Sequence, residues 1–245
     1  MPVGRHAASS WLRAGRVLIA ASFLAGVSLL LYTGYLVLDP FAAQRQQQEA
    51  RILQRQWQNT RAPQSSDAAM PRLRVKTGQP FAFIRIPRLG RHWRFTIVEG
   101  ASLTQLATGP GHVTGTQLPG QPGNFAVAAH DITAGNPFLH LKELRRGNVV
   151  IVTTKFATYR YRVRSEKVVS YTDTAVLDPV PGKPGEQPRQ SLITLITCTP
   201  VTLAFTPYRV IVTGVLVSTT RRQAEPALGR PVSSFLRAAL LTHRP

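Results

Sequence analysis

Apolar positions along this 245-residue chain fall into two regimes. From Val17 to Leu38 runs VLIAASFLAGVSLLLYTGYLVL, an uncharged stretch of 22 residues. From Phe81 onward, short β-branched and aromatic runs alternate with Gly and Pro. FAFIRI (81–86), WRFTIV (93–98), NFAVAA (124–129), NVVIVTT (148–154), TYRYRVRSEKVVSY (158–171), SLITLIT (191–197) and YRVIVTGVLV (208–217) read as strands. TYRYRVR alternates apolar with polar, as a strand with one buried face does. At least seven short strands predict an all-β domain with short helices, either a compact barrel or a sandwich. Helical candidates are brief: Ala101–Ala107, Asn136–Leu144 with Asn136 as N-cap and Pro137 at the first helical position, and Asp173–Leu177.

The first regime predicts an anchor. At about 1.5 Å per residue the stretch 17–38 matches a hydrocarbon core of roughly 30 Å. It is longer than the apolar region of a cleaved signal peptide, and no small-x-small cleavage site follows it directly. Arg5, Arg13 and Arg16 precede the span and Asp39 follows it, which predicts a cytoplasmic N-terminus (1–16) and an extracytoplasmic remainder of a single-pass membrane protein. Residues 39–80 read as a stalk whose Gln/Arg-rich first half could form a short helix and whose second half, with Pro63, Pro71, Gly78 and Pro80, is a linker. The domain then covers 81–218, and 219–245 is a basic tail with one short apolar run, FLRAALL, read as frayed chain or as an interfacial helix.

Composition narrows the partners. Lys and Arg number 30 against 11 Asp and Glu, a net charge of +19, and 25 of the cations are Arg. The excess is spread over anchor, stalk, domain and tail, and no helix-turn-helix, zinc-finger or RNP pattern is present, so anionic lipid or wall polymer is expected ahead of nucleic acid. The single Cys excludes an internal disulfide framework and a CxxC metal site. Carboxylates do not gather, and His92, His140 and His243 have no second ligand at metal spacing, so neither a metal nor a cofactor is expected.

That Cys198 ends the apolar strand SLITLIT and precedes Thr199-Pro200, where a ladder must stop because Pro has no N–H to donate. A thiol at such a strand end can meet a substrate; a lone Cys can equally be a small core hydrophobe. His130 closes NFAVAA, and Arg209 opens YRVIV. Thiol, imidazole and guanidinium supply a nucleophile, a proton carrier and an oxyanion donor.

In this order and context the residues resemble sortases, the membrane-anchored cysteine transpeptidases of bacteria. The resemblance rests on Thr194-Leu195-Ile196-Thr197-Cys198, on His130 in AVAAHDIT and on Arg209 in YRVIV. It extends over roughly 81–217 through GPGHVTGT, LPGQPGNFAVAAH, FLHLKELRRGN and PVPGKPG, stretches most like class E and next most like class D. It implies an eight-stranded sortase-type β-barrel, with Cys198, His130 and Arg209 catalytic. It also implies cleavage of an LPxTG-like or LAxTG-like sorting signal between Thr and Gly through a thioacyl enzyme, with transfer to an amine of a peptidoglycan precursor or a pilin. Where this branch often carries a basic residue after the His, this chain has Asp131.

Substrate-binding expectations are weaker. Thr197 is expected to support the groove, His112 to line it or simply to pack a turn, and Val176, Leu177 and Val180 to form an apolar pocket in the Pro-rich loop 171–189. Two rival functions stay open at this point: a hydrolytic cysteine peptidase on the same scaffold, and a non-catalytic tethered barrel that binds wall polymer or a partner protein with Cys198 buried.

Overall fold

In the computed structural model, residues 7–58, 71, 73–200 and 206–222 are described, and within the N-terminal helix the side chains of 19–30, 33 and 44–57. Eight strands close a barrel: β1 (Pro80–Arg85), β2 (Arg94–Glu99), β3 (Gly111–His112), β4 (Gly123–Ala128), β5 (Val149–Thr154), β6 (Ala157–Ser170), β7 (Ser191–Thr199) and β8 (Tyr208–Arg221). Their order around the barrel is β1-β2-β3-β4-β7-β8-β6-β5, so the wall β1/β2 lies opposite the wall β7/β8. Of the two β architectures the periodicity allowed, it is the barrel that forms.

The first half of β6 buries alternate residues, as its pattern predicts, whereas β1, β2, β4 and β5 bury runs of consecutive residues on both faces. Ile84 on β1, Phe125 and Val127 on β4, Val150 and Val152 on β5, Tyr159, Tyr161 and Val163 on β6, Ile193 and Leu195 on β7, and Val210 and Val212 on β8 form one core. The core admits one phenol hydroxyl at full depth. Tyr161 is fully buried, its hydroxyl accepts the Gly120 amide at 2.9 Å, and burial pushes its pKa up. Gly120 is obligatory there: its φ is +83°, and a Cβ would stand 2.2 Å from the Tyr159 ring.

β3 is the strand that the apolar pattern did not predict. It holds two residues, pairs parallel with β2 and antiparallel with β4, and so bridges them. A Cβ on Gly111 would lie 2.2 Å from the Gly100 carbonyl, so the close approach that makes the pairing needs a residue with no side chain to contribute to any periodicity.

The helix predicted over Asn136–Leu144 does not form. Asn136 adopts φ +54°, outside the right-handed helical region, and the Phe138 amide is tied to the His130 carbonyl at 3.0 Å, leaving a 3-10 turn at Leu141–Glu143. The other two candidates shrink to α2 (Leu103–Leu106) and a 3-10 turn at Thr174–Leu177.

The N-terminal helix α1 (Ala7–Gln58) runs through the apolar stretch and the Gln/Arg-rich segment without a break. Among the described residues no helix is long and apolar enough to cross a membrane, although part of the 17–38 stretch lies outside the described side chains. Ile19, Phe23, Leu24, Leu29 and Leu30 are exposed on it. Further along, α1 docks on the barrel. Leu53 is buried, the Trp57 ring stands edge-on to Phe83 of β1 at 5.2 Å, and the Gln46 amide accepts the Thr96 amide (2.9 Å) and hydroxyl (2.7 Å) while donating to the Thr108 carbonyl. The first half of the expected stalk is therefore part of the domain's packing; residues 59–70, 72 and the tail from 223 lie outside the described residues.

Candidate active site

Three adjacent strands carry the proposed chemistry. β4 and β7 run parallel with Ala128 beside Ile196, and the Ala129 amide continues the ladder to the Ile196 carbonyl at 3.1 Å, which brings His130 to the level of Cys198. β7 and β8 run antiparallel with Cys198 directly opposite Arg209. Inward positions on these strands are Phe125, Val127 and Ala129, then Ile193 and Leu195, then Val210 and Val212. By alternation His130, Cys198 and Arg209 all project from the outer face, in one row across the sheet. Residues 79 positions apart in sequence thus share a row because parallel pairing of β4 and β7 fixes it.

Cys198 is half-buried and forms no disulfide, so the thiol is not sealed in the core as the structural reading of a lone Cys would require. His130 is half-buried as well. Burial lowers its pKa from the ordinary 6.5, and the neighbouring Asp131 carboxylate opposes that shift in part. A depressed pKa favours the neutral imidazole. Asp131 itself is buried: one carboxylate oxygen accepts the Ile132 amide at 2.9 Å, and the other has no hydrogen-bond partner among the described residues.

The Arg209 guanidinium is held at the strand end by Nη1, which donates to the carbonyls of Thr206 (2.7 Å) and Tyr208 (2.8 Å), and it stands 5.9 Å from the Tyr171 ring. These contacts orient a planar fork beside Cys198.

Below the row lies a floor of small residues. Ala126 and Ala128 on β4 and Ile196 on β7 share the outer face; Ala126 is fully buried, and Ala128 and Ile196 are half-buried. The far end of the floor is closed by a buried latch: Asn124 is fully buried, its amide donates to the Val176 carbonyl at 3.0 Å, and its carbonyl accepts the Thr194 hydroxyl at 2.7 Å. The latch binds the 3-10 turn of the long loop to β4 and β7. Asn124 and Thr194 were not anticipated as a pair; the signal was a polar residue at an outer position of each of two otherwise apolar strands.

The weaker expectations separate. Val176 is buried and its carbonyl meets Asn124, while Leu177 and Val180 are half-buried in the same loop. Thr197 is buried and faces away from Cys198; its hydroxyl donates to the Ala129 carbonyl at 2.9 Å, clamping β7 to the chain just before His130. His112 is not brought to this face. It is 2% exposed, its Nδ1 pairs with Glu99 at 2.6 Å, its Nε2 meets the Thr116 hydroxyl at 2.9 Å, and its ring packs 5.2 Å from Phe125. The packing alternative is the one the structure supports for it. Among the described residues no group of His, Cys, Asp or Glu could hold a metal ion.

Comparison with known proteins gives the family and the fold. A family profile described as Sortase domain matches residues 84–217. Sortase SrtE1 of Streptomyces coelicolor is 33% identical over 203 residues, 78% of this chain and 54% of that protein, so the chain spans about half the length of that relative. Sortase E from Streptomyces avermitilis, a solved structure, is 38% identical with a TM-score of 0.54 and covers 60% of this chain and 93% of its own. Sortase E1 from Streptomyces coelicolor, solved with a tripeptide in the active site, is 32% identical with a TM-score of 0.53, covering 65% and 98%.

Proposed function

The chain belongs to the sortase family, and from that premise we propose that it is a membrane-anchored cysteine transpeptidase acting on sorting signals outside the cell. The observation that carries the reading is the row His130, Cys198, Arg209 on three paired strands, with a half-buried thiol at its centre.

The chemistry follows from the row. The signal's backbone lies along the floor of Ala126, Ala128 and Ile196, with its apolar side chains against Val176, Leu177 and Val180. Neutral His130 takes the Cys198 proton as sulfur attacks the Thr carbonyl carbon. The C–S bond forms, the carbonyl electrons move onto oxygen, and Arg209 donates to that oxyanion. As the intermediate collapses, the C–N bond breaks and the imidazolium passes its proton to the departing glycine amine. An incoming amine then attacks the thioester, loses its proton to His130 and expels the thiolate. Support for a peptide substrate comes from the tripeptide in the related sortase E1 site.

The acceptor we propose is an amine of a peptidoglycan precursor or a pilin Lys. The anchor is the segment 17–38 of α1, whose exposed Ile19, Phe23, Leu24, Leu29 and Leu30 would be costly in water and are matched to lipid. The N-terminus would then be cytoplasmic and the barrel extracytoplasmic.

A test of transfer itself incubates the full-length enzyme with an LPxTG or LAxTG peptide and a diamine-bearing wall-precursor peptide, with products resolved by mass spectrometry. Ligated product forming faster than free acid supports transpeptidation; free acid alone at saturating amine replaces it with hydrolysis.

A further inference from the structure

The first half of β6, paired with the end of β8 remote from Arg209, carries an arrangement that the proposed reaction does not use. On β6 the residues Tyr159, Tyr161 and Val163 point inward, and Arg160, Arg162 and Arg164 alternate with them, exposed on the outer face. At two residues per step this is a file of guanidinium-bearing positions about 6.7 Å apart.

The file continues sideways. Arg160 pairs with Ile151 of β5, Ile151 pairs with Arg85 of β1, and Arg85 pairs with Arg94 of β2. Arg85 and Arg94 are exposed. Ile151 sits on the outer face yet is 6% exposed, with an arginine beside it on each neighbouring strand. Arginine stems can cover such a residue and keep their heads in water.

This charge is not balanced from within. The ion pairs among the described residues join His112 with Glu99, His140 with Glu143 and Lys183 with Glu186, and none involves these five arginines. Arg164 donates to the neutral Gln190 side chain at 2.9 Å, and Arg94 lies over the Phe83 ring at 3.7 Å. Burial, and after it the charge of Arg222, lowers the Arg94 pKa. Five cations held without a counter-charge keep a mutual repulsion that a multivalent anion would relieve.

We propose that the β6 file Arg160, Arg162 and Arg164, extended by Arg85 and Arg94, is a docking surface for a linear polyanion with repeating phosphodiesters, of the kind found in anionic wall polymers.

Geometry favours a polymer over a lipid surface. A flexible chain can follow a file that bends at the β-bulge between Val163 and Ser165 and continues over the convex barrel, whereas a planar bilayer touches only the crest. The course of α1 agrees. It meets Thr96 of β2 through Gln46, then Phe83 of β1 and Arg222 through Trp57. Moving away from the 17–38 segment thus leads from β2 toward β1, and the file on β6 lies farther in that direction. This directional argument rests on the proposed anchor; the binding assay below does not.

The test titrates the full-length chain, in neutral nanodiscs, with a fluorescent poly(glycerol phosphate) oligomer across a salt series. Binding should weaken with salt, with a slope in log affinity of about −0.7 per phosphate neutralised. Replacing Arg160, Arg162 and Arg164 together by Gln should lower affinity at least tenfold and flatten the slope by about 2. The triple Lys replacement should retain most of the affinity, and Arg45, Arg51 and Arg55 to Gln on α1, an equal loss of charge, should leave it within a fewfold of the parent. Equal losses in the two Gln triples would overturn the proposal in favour of net charge alone. Preferential binding of phosphatidylglycerol discs at the file, with no oligomer binding, would replace the polymer by lipid. An unaltered circular dichroism spectrum and melting point in each variant separate these outcomes from misfolding, and thioacyl formation on a soluble peptide should be unchanged in all three triples.

Discussion

Cys198 and Arg209 stand directly opposite each other in the antiparallel ladder between β7 and β8, on the outer face of the barrel. The pairing sets the separation of the two backbones by ladder hydrogen bonds, and the Thr206 and Tyr208 carbonyls then hold the guanidinium. Arg209→Ala should lower kcat/KM for a signal peptide by about 100-fold to 1,000-fold, the cost of losing one preorganised oxyanion donor. Arg209→Lys should recover little of it, because an ammonium cannot reproduce a fork held through Nη1 by the Thr206 and Tyr208 carbonyls. Full activity in the Lys variant would show that charge alone suffices.

His130 titrates below its ordinary 6.5 because it is half-buried, with Asp131 working against the shift. The neutral form takes the thiol proton, so the acid limb of the kcat/KM profile should fall below pH 6.5. Asp131→Asn keeps the oxygen that accepts the Ile132 amide but removes the charge, and should move that limb lower still. A limb at or above 6.5 contradicts the assignment. Stability follows the same sign: the folded state binds fewer protons than the unfolded state below 6.5, so His130 imposes no penalty above that pH and an increasing one as pH falls through the depressed folded value.

The Asn124 latch should couple loop to site. Asn124→Ala strands the buried Thr194 hydroxyl and the Val176 carbonyl, and should destabilise the domain by about 1–3 kcal/mol. If the loop forms the signal's pocket, KM should rise more than kcat falls. Steady-state kinetics with unfolding curves separate the two effects; an unchanged KM removes the loop from recognition.

Docking of α1 should contribute measurably. Leu53→Ala removes a side chain that is 1% exposed, a loss of about 2–5 kcal/mol where the site cannot collapse. Denaturant unfolding of the full-length chain should show it. No change would mean that α1 and the barrel unfold independently.

Seven of the eight strands could be read from the chain because each spans at least six residues of β-branched or aromatic run bounded by Gly, Pro or polar turns. β3 could not, since Gly111 and His112 pair through backbone approach and carry no pattern. Cys198, His130 and Arg209 were legible one by one as strand-end residues, and the TLITC stretch linked them to a family. Their common row was not legible, because it depends on the parallel register of β4 with β7. His112 illustrates the converse: its Gly-rich context left groove lining and turn packing both open, and the tertiary pairing with Glu99 decides for packing. The docking of α1 was hidden because its contacts use Gln46, Glu49 and Trp57, polar or isolated residues that resemble a solvated helix until Thr96 and Phe83 are set opposite them.

The most direct measurement is intact-mass spectrometry of the full-length enzyme after brief exposure to an LPxTG or LAxTG peptide without acceptor. The account predicts an adduct whose mass is that of the N-terminal signal fragment, as its free acid, less one water, mapped to Cys198, removable by hydroxylamine and absent in Cys198→Ala. An unmodified Cys198 across both peptide series, in a folded protein whose thiol also resists a small alkylating reagent, would contradict it.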